Sequence, residues 1–240
     1  MVDFSNITAC GGDCTGCGYF RNRECKGCNQ NGGKCVKMWE NGCEICSCCE
    51  RHNVKFCGLC EEFPCEWLKK VMTWEEGLIE RLGELKKEYF TRMESFSPHL
   101  SELWEKISYH GVMVLSTCYE NRVTSRSMSV VVSNGRFYCQ TDENYLKYKQ
   151  ISKNPNVALC FNNFSVEGIC QSLGKPLEHD FFIDALKIYF SNAAERWAGS
   201  MYECLLEISP TLISSWNYED GKAYKEIWNF RSLCYQKIIM

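Results

Sequence analysis

The chain has 240 residues, with 27 basic against 30 acidic side chains and a net charge of −3. That length suits one or two domains, and the absence of a basic block that would neutralise phosphates argues against a nucleic-acid partner. No apolar run reaches the roughly 18 residues of a membrane span, and the opening residues lack an export signal, so a soluble cytoplasmic protein is expected.

The first segment is dominated by cysteine: of 19 in the chain, 13 lie between Cys10 and Cys65. They are Cys10, Cys14, Cys17, Cys25, Cys28, Cys35, Cys43, Cys46, Cys48, Cys49, Cys57, Cys60 and Cys65. A reducing compartment disfavours disulfides, and adjacent or near-adjacent pairs suit a shared ion better than each other. Cys14/Cys17, Cys25/Cys28, Cys43/Cys46 and Cys57/Cys60 each hold two intervening residues, a spacing that turns both thiolates toward one ion while backbone amides between them donate to sulfur. All 13 are therefore candidate metal ligands. Zinc and an iron–sulfur cluster both take four thiolates, and the two stay open, with iron–sulfur favoured by the redox character expected downstream. Cys10-x3-Cys14-x2-Cys17 also matches the spacing of radical enzymes that cleave S-adenosylmethionine, but no alternating strand–helix barrel follows. Apolar residues are few among these cysteines, so metal binding is expected to supply much of the folding free energy, leaving the metal-free segment largely unfolded.

From Glu66 to Tyr89, Trp67, Leu68, Val71, Trp74, Leu78, Leu82 and Leu85 recur at three- and four-residue intervals, predicting an amphipathic helix weakened at Gly77 and Gly83. A second helix is predicted after Ser97-Pro98, with Leu100, Leu103, Trp104 and Ile107 on one face. The expected organisation is a cysteine-rich domain over 1–68, a helical connector over 69–104 and a second domain over 105–240.

Strands begin at Val112–Thr117. Glu120-Asn121 makes a turn into a strand over Arg122–Val132, and Asn134-Gly135 is a hairpin signal before Arg136–Thr141. A short helix is predicted around Asn144–Lys153, stopped by Asn154-Pro155. Further strands are predicted at Val157–Phe161, Ser165–Leu173, Tyr202–Ile208, Leu212–Tyr218 and Trp228–Tyr235, with a helix at Asp180–Tyr189. The order is that of an α+β domain built on a partly closed barrel. Cys118, Cys139, Cys160, Cys170 and Cys204 fall in or near strands and read as small hydrophobes. No metal-binding HExxH, phosphate-cradling glycine loop or Ser-His pair appears, so hydrolase and kinase chemistry have no support.

Two resemblances join these readings. Cys10-Gly11-Gly12-Asp13-Cys14-Thr15-Gly16-Cys17, Cys25-Lys26-Gly27-Cys28 and Cys57-Gly58-Leu59-Cys60-Glu61-Glu62-Phe63-Pro64-Cys65 resemble an uncharacterised cysteine-rich domain family, to whose pattern Cys46 and Cys49 look additional. Residues from about 105 to 240 resemble the pyridoxamine 5'-phosphate oxidase-like family of FMN-binding split barrels. The matching features, in order, are Val112–Thr117, Thr124-Ser125-Arg126-Ser127-Met128, Phe137–Thr141 followed by Lys147, Asn154–Leu159 and Gly168–Gly174. That resemblance implies FMN with its phosphate on Arg126, Ser127, Thr141 and Lys147. It places the ring along Arg126–Met128 and Gln171-Ser172, has Trp228 and Arg231 close the site, and implies a homodimer. By themselves Arg126 and Lys147 read as surface charges, and Trp216 and Trp228 as core or interface aromatics.

The expected function is a flavoprotein oxidoreductase in which FMN exchanges electrons with the metal–thiolate module or with a small-molecule or protein partner. The alternative is a non-catalytic flavin-binding or redox- or metal-sensing protein with a structural zinc head. Pyridoxamine-phosphate oxidase activity does not follow from the fold.

Overall fold

The computed structural model describes residues 2–22, 24–34, 42–71, 75–107 and 110–240. Contacts divide the chain into two units, Met1–Ser95 with Arg231–Leu233, and Phe96–Phe230 with Cys234–Met240. The division thus falls inside a helix and not at residue 68 or 104.

In the first unit the cysteine segment folds as single turns and two short helices, α1 (Gly18–Arg21) and α2 (Glu44–Arg51), followed by α3 (Glu66–Val71) and α4 (Leu78–Lys106). Its apolar residues are too sparse to close a core alone, and the helices complete it. Phe4, Phe56, Ile45, Leu68 and Leu82 are all fully buried together. Phe4 stacks on Phe56 at 6.5 Å, and Tyr89 meets both rings edge-on at 5.2 and 6.0 Å. Each such buried side chain contributes about 1.5–3 kcal/mol, which is why the unit extends to Ser95. Gly11, at φ +77°, lies so close to this core that a Cβ there would stand 2.7 Å from Leu82 Cδ2.

The break expected at Gly77 is present, Gly77 having φ +71° just before α4. Gly83 makes none, and no new helix starts at Pro98, which lies inside α4. Proline removes one helical hydrogen bond, but the buried stripe continues across it through Phe96, Leu103 and Ile107. Trp74 and Cys35 lie outside the described residues.

The second unit is one antiparallel sheet: β1 (Gly111–Tyr119), β2 (Arg122–Ser133), β3 (Arg136–Asp142), β4 (Asn156–Phe161), β5 (Phe164–Ser172), β6 (Glu203–Glu219), β7 (Lys222–Asn229) and β8 (Cys234–Ile239). Strand order is β3-β2-β1-β4-β5-β6-β7-β8, and β3 also pairs with β6. That pairing closes six strands into a barrel, the α+β split barrel expected, with β7 and β8 continuing from β6. Glu120-Asn121 and Asn134-Gly135 both take the positive φ of two-residue hairpin turns. Alternate residues point inward, so Met113, Leu115, Leu159, Val166, Leu206 and Ile208 are buried. The helices are α5 (Leu146–Ile151) before β4, then α6 (Asp180–Tyr189) and α7 (Ser191–Trp197) before β6.

Three expectations change here. The strands expected at 202–208 and 212–218 are one 17-residue strand, β6, that passes through Pro210. A register shift opposite it, at Glu167/Gly168, absorbs the missing donor. The strand expected over Trp228–Tyr235 straddles a turn between β7 and β8. The helix α7 has no counterpart in the sequence reading. Among the described residues no helix is long and apolar enough to cross a membrane.

Candidate functional site

The barrel unit carries a cavity of about 250 Å³ lined by Ser127, Met128 and Ser129 of β2, Gln140, Thr141 and Asp142 of β3, Tyr145, Lys147, Ala193, Trp197 and Glu203. Four residues expected at a cofactor, Ser127, Met128, Thr141 and Lys147, are therefore brought together. β2 and β3 place the first three through their adjacent registers, and α5 swings Lys147 over the same opening.

Arg126 stands behind this wall. Its Nη1 donates to the Leu115 carbonyl (3.2 Å) and the Thr117 hydroxyl (2.8 Å), and its Nη2 donates to the Thr124 hydroxyl. Both hydroxyls donate in turn to Gln150 Oε1, at 2.6 and 2.7 Å, while Gln150 Nε2 donates to the Arg122 carbonyl at 2.9 Å. This network ties α5 to β1 and β2 and fixes the guanidinium. Its charge still reaches the cavity: burial first, and Arg126 next, hold the Lys147 ammonium below the usual lysine range. Burial also lowers Arg126, which nonetheless keeps its charge at neutral pH. Two cations held side by side and half-buried repel each other, and an anion between or beside them removes that cost.

The acidic side of the cavity is Glu203, buried on β6, whose carboxyl is pushed up to about 7. Burial is the main cause and the negative Asp142 the next, while Lys147 and Lys175 pull the other way. Asp142 and Glu203 sit opposite each other in the β3–β6 register.

The remaining expected residues are elsewhere. Gln171 Nε2 donates to Glu207 Oε1 at 2.9 Å, and Ser172 Oγ accepts from the Gly174 amide at 3.5 Å. Neither lines the cavity. Trp228 is buried, its indole N–H donated to the His99 carbonyl at 3.0 Å, so it is a core aromatic and not a wall of the site. Arg231 belongs to the first unit, its carbonyl accepting from the Phe4 amide at 2.8 Å. The sequence reading missed Gln140, Tyr145, Trp197 and Glu203. A carboxylate and an amide in otherwise apolar strands were the only signals for Glu203 and Gln140, and Trp197 comes from the unforeseen α7.

The first unit has its own concavity, about 20 Å³, lined by Cys48, Cys49, His52, Val54, Cys57, Cys60, Glu62, Phe63 and Cys65. Here α2, the Cys57–Leu59 turn and the start of α3 bring five of the expected ligands to one place. Cys49 hydrogen-bonds Cys57, which pushes the Cys49 thiol up and the Cys57 thiol down. The Gly27 amide donates to Cys25 Sγ at 3.4 Å, the amide–sulfur bond that the Cys25/Cys28 spacing predicts, and the Leu68 amide donates to Cys65 Sγ at 3.4 Å. Cys46 lies near Cys43 and Cys10, and burial raises its thiol. The donor chemistry fits a thiophilic ion, but the arrangement does not: among the described residues no three His, Cys, Asp or Glu side chains are grouped so as to hold one.

No family model matches the chain, and no curated protein matches it. Solved structures do. The General Stress Protein 26 from Bacillus anthracis str. Sterne matches at 23% identity over 48% of this chain and 92% of its own, with a TM-score of 0.40. A pyridoxamine 5'-phosphate oxidase-related, FMN binding protein from Nostoc punctiforme PCC 73102 matches at 16% identity over 54% and 86%, TM-score 0.41. A nimC/nimA family protein from Clostridium acetobutylicum matches at 14% identity over 60% and 94%, TM-score 0.39. Over about half its length, then, the chain is similar in fold to these solved structures.

Proposed function

We propose that the barrel unit is a flavin-binding oxidoreductase domain whose cavity takes the phosphate end of FMN. The observation that carries this reading is the convergence of Lys147, backed by the Arg126 charge, with Thr141 and Ser127 on one cavity wall. A phosphate dianion needs such fixed cationic and hydroxyl donors. Lys147 binds it as a point charge, Thr141 and Ser127 orient it, and Arg126 raises the positive field without leaving its own hydrogen bonds. Tyr145 and Trp197, both half-exposed, line the same opening. Bound FMN would supply hydride or electron transfer. The reading includes a homodimer, implied by the sequence resemblance, and a small molecule or protein as redox partner. Titration of FMN and riboflavin by fluorescence tests it. FMN is expected to bind more tightly than riboflavin, and Lys147→Ala to weaken FMN at least about tenfold, the loss of one charge-assisted hydrogen bond. Equal affinity for the two flavins, unchanged in the variant, would sink it.

The donor chemistry of the cysteines, though not their present arrangement, supports a second reading in which the first unit is a metal–thiolate module, zinc or iron–sulfur, drawing its ligands from the cysteines of that unit. Coordination would have to draw these thiols closer than they now stand. Metal analysis of protein purified under anaerobic, reducing conditions tests it.

A further inference from the structure

The wall of the barrel cavity holds an acceptor that no group among the described residues satisfies. Gln140 is only 9% exposed, and its Oε1 is buried without a hydrogen-bond partner. The orientation of its amide is fixed from the other end. Nε2 donates to the Ala193 carbonyl at 3.2 Å, and since a carbonyl can only accept, the amide cannot be reversed. Ala193 and Trp197, one turn apart on α7, line the same cavity as Gln140. A buried acceptor left without a donor costs free energy, and this one lies where the anion-binding residues Lys147, Thr141 and Ser127 also converge.

We propose that Gln140 Oε1 accepts a hydrogen bond from the bound ligand, so that the cavity selects phosphorylated compounds carrying an N–H or O–H donor over those that lack one. The assignment rests on reading the cavity as the FMN phosphate site, and it adds a specificity residue to that site. α7 acts as the positioning element, because the Ala193 carbonyl fixes which end of the amide is left without a protein partner. Trp197, half-exposed at the same wall, offers an apolar face to a ring.

The test compares FMN with phenyl phosphate, which has an anionic group and a flat ring but no N–H or O–H donor beyond the phosphate. Gln140→Met keeps the bulk and removes the acceptor. FMN affinity is expected to fall about tenfold, the worth of one such bond, while phenyl phosphate competes as well as it does in the unaltered protein. Retained phenyl phosphate binding also reports that the variant is folded. Unchanged FMN affinity in Gln140→Met, or an equal loss for both ligands, overturns the proposal while leaving the phosphate site intact. Failure of the unaltered protein to bind FMN overturns both.

Discussion

Lys147 and Glu203 face one cavity with opposite charges, and each is displaced from its ordinary ionisation by burial. For Glu203 the consequence is a stability that depends on pH. Its folded carboxyl titrates near 7 while an unfolded glutamate titrates near ~4.3, so the folded state binds its proton more tightly. Stability from this group is fully present below the unfolded value and is lost as pH rises through about 7. Glu203→Gln is therefore expected to come close to the unaltered protein near pH 4.5 and to exceed it by roughly 3 kcal/mol at pH 8. Denaturant unfolding at both pH values checks it, and a difference that does not change with pH would mean Glu203 keeps its charge in the fold. At this scale Ser127, Met128, Thr141 and Lys147 were named through the resemblance to a split-barrel family, and they line one cavity. The sequence could not disclose that Arg126 would spend its donors on Leu115, Thr117 and Thr124, because that depends on where β1 lies.

Among the elements, β6 decides the closure of the barrel. Its first half pairs with β3, its second half pairs with β7, and β5 runs along both. The bend between the halves comes at Pro210 and the shifted register at Gly168, where the Thr211 hydroxyl donates to the Glu167 carbonyl at 3.1 Å. A Cβ on Gly168 would stand 2.8 Å from Ile208 Cγ2 and 2.9 Å from the Ser209 carbonyl oxygen. The latter is backbone and cannot swing aside. Gly168→Ala is expected to destabilise the barrel unit by roughly 1–3 kcal/mol, seen as a lowered denaturation midpoint; an unchanged midpoint would show that the bend has slack. Local chemistry made most strands readable, since Asn134-Gly135 and Glu120-Asn121 set their hairpins. Asp220-Gly221, both at positive φ, was an equally clear hairpin signal between β6 and β7, and the strand reading passed over it. Between 208 and 212 the strand runs on because Pro210 lies opposite the register shift, where it costs no ladder bond.

For the whole molecule, the question is what holds the cysteine-rich unit. Phe4, Ile45 and Phe56 are its own, whereas Leu68, Leu78 and Leu82 come from α3 and α4, so apolar burial joins metal binding, which was expected to supply much of the folding free energy. If metal binds as well, protein prepared without oxygen should contain about four thiolates' worth of protected cysteine per zinc or cluster. A chelator strong enough to remove the metal should then expose those thiols to a thiol reagent. Full reactivity before chelation, with no zinc or iron in the sample, would end the metal reading. Composition and spacing by themselves determined that the chain begins with a thiol-rich segment, turns helical and then becomes a β-barrel with hairpins at named residues. These are local properties, set by periodicity and turn chemistry. Only the tertiary structure decided that β3 meets β6, that α7 delivers Ala193 and Trp197 to Gln140, and that Glu203 faces Asp142 and Lys147. Each of those contacts joins residues far apart in sequence, and their burial and charge exist only once the barrel has closed.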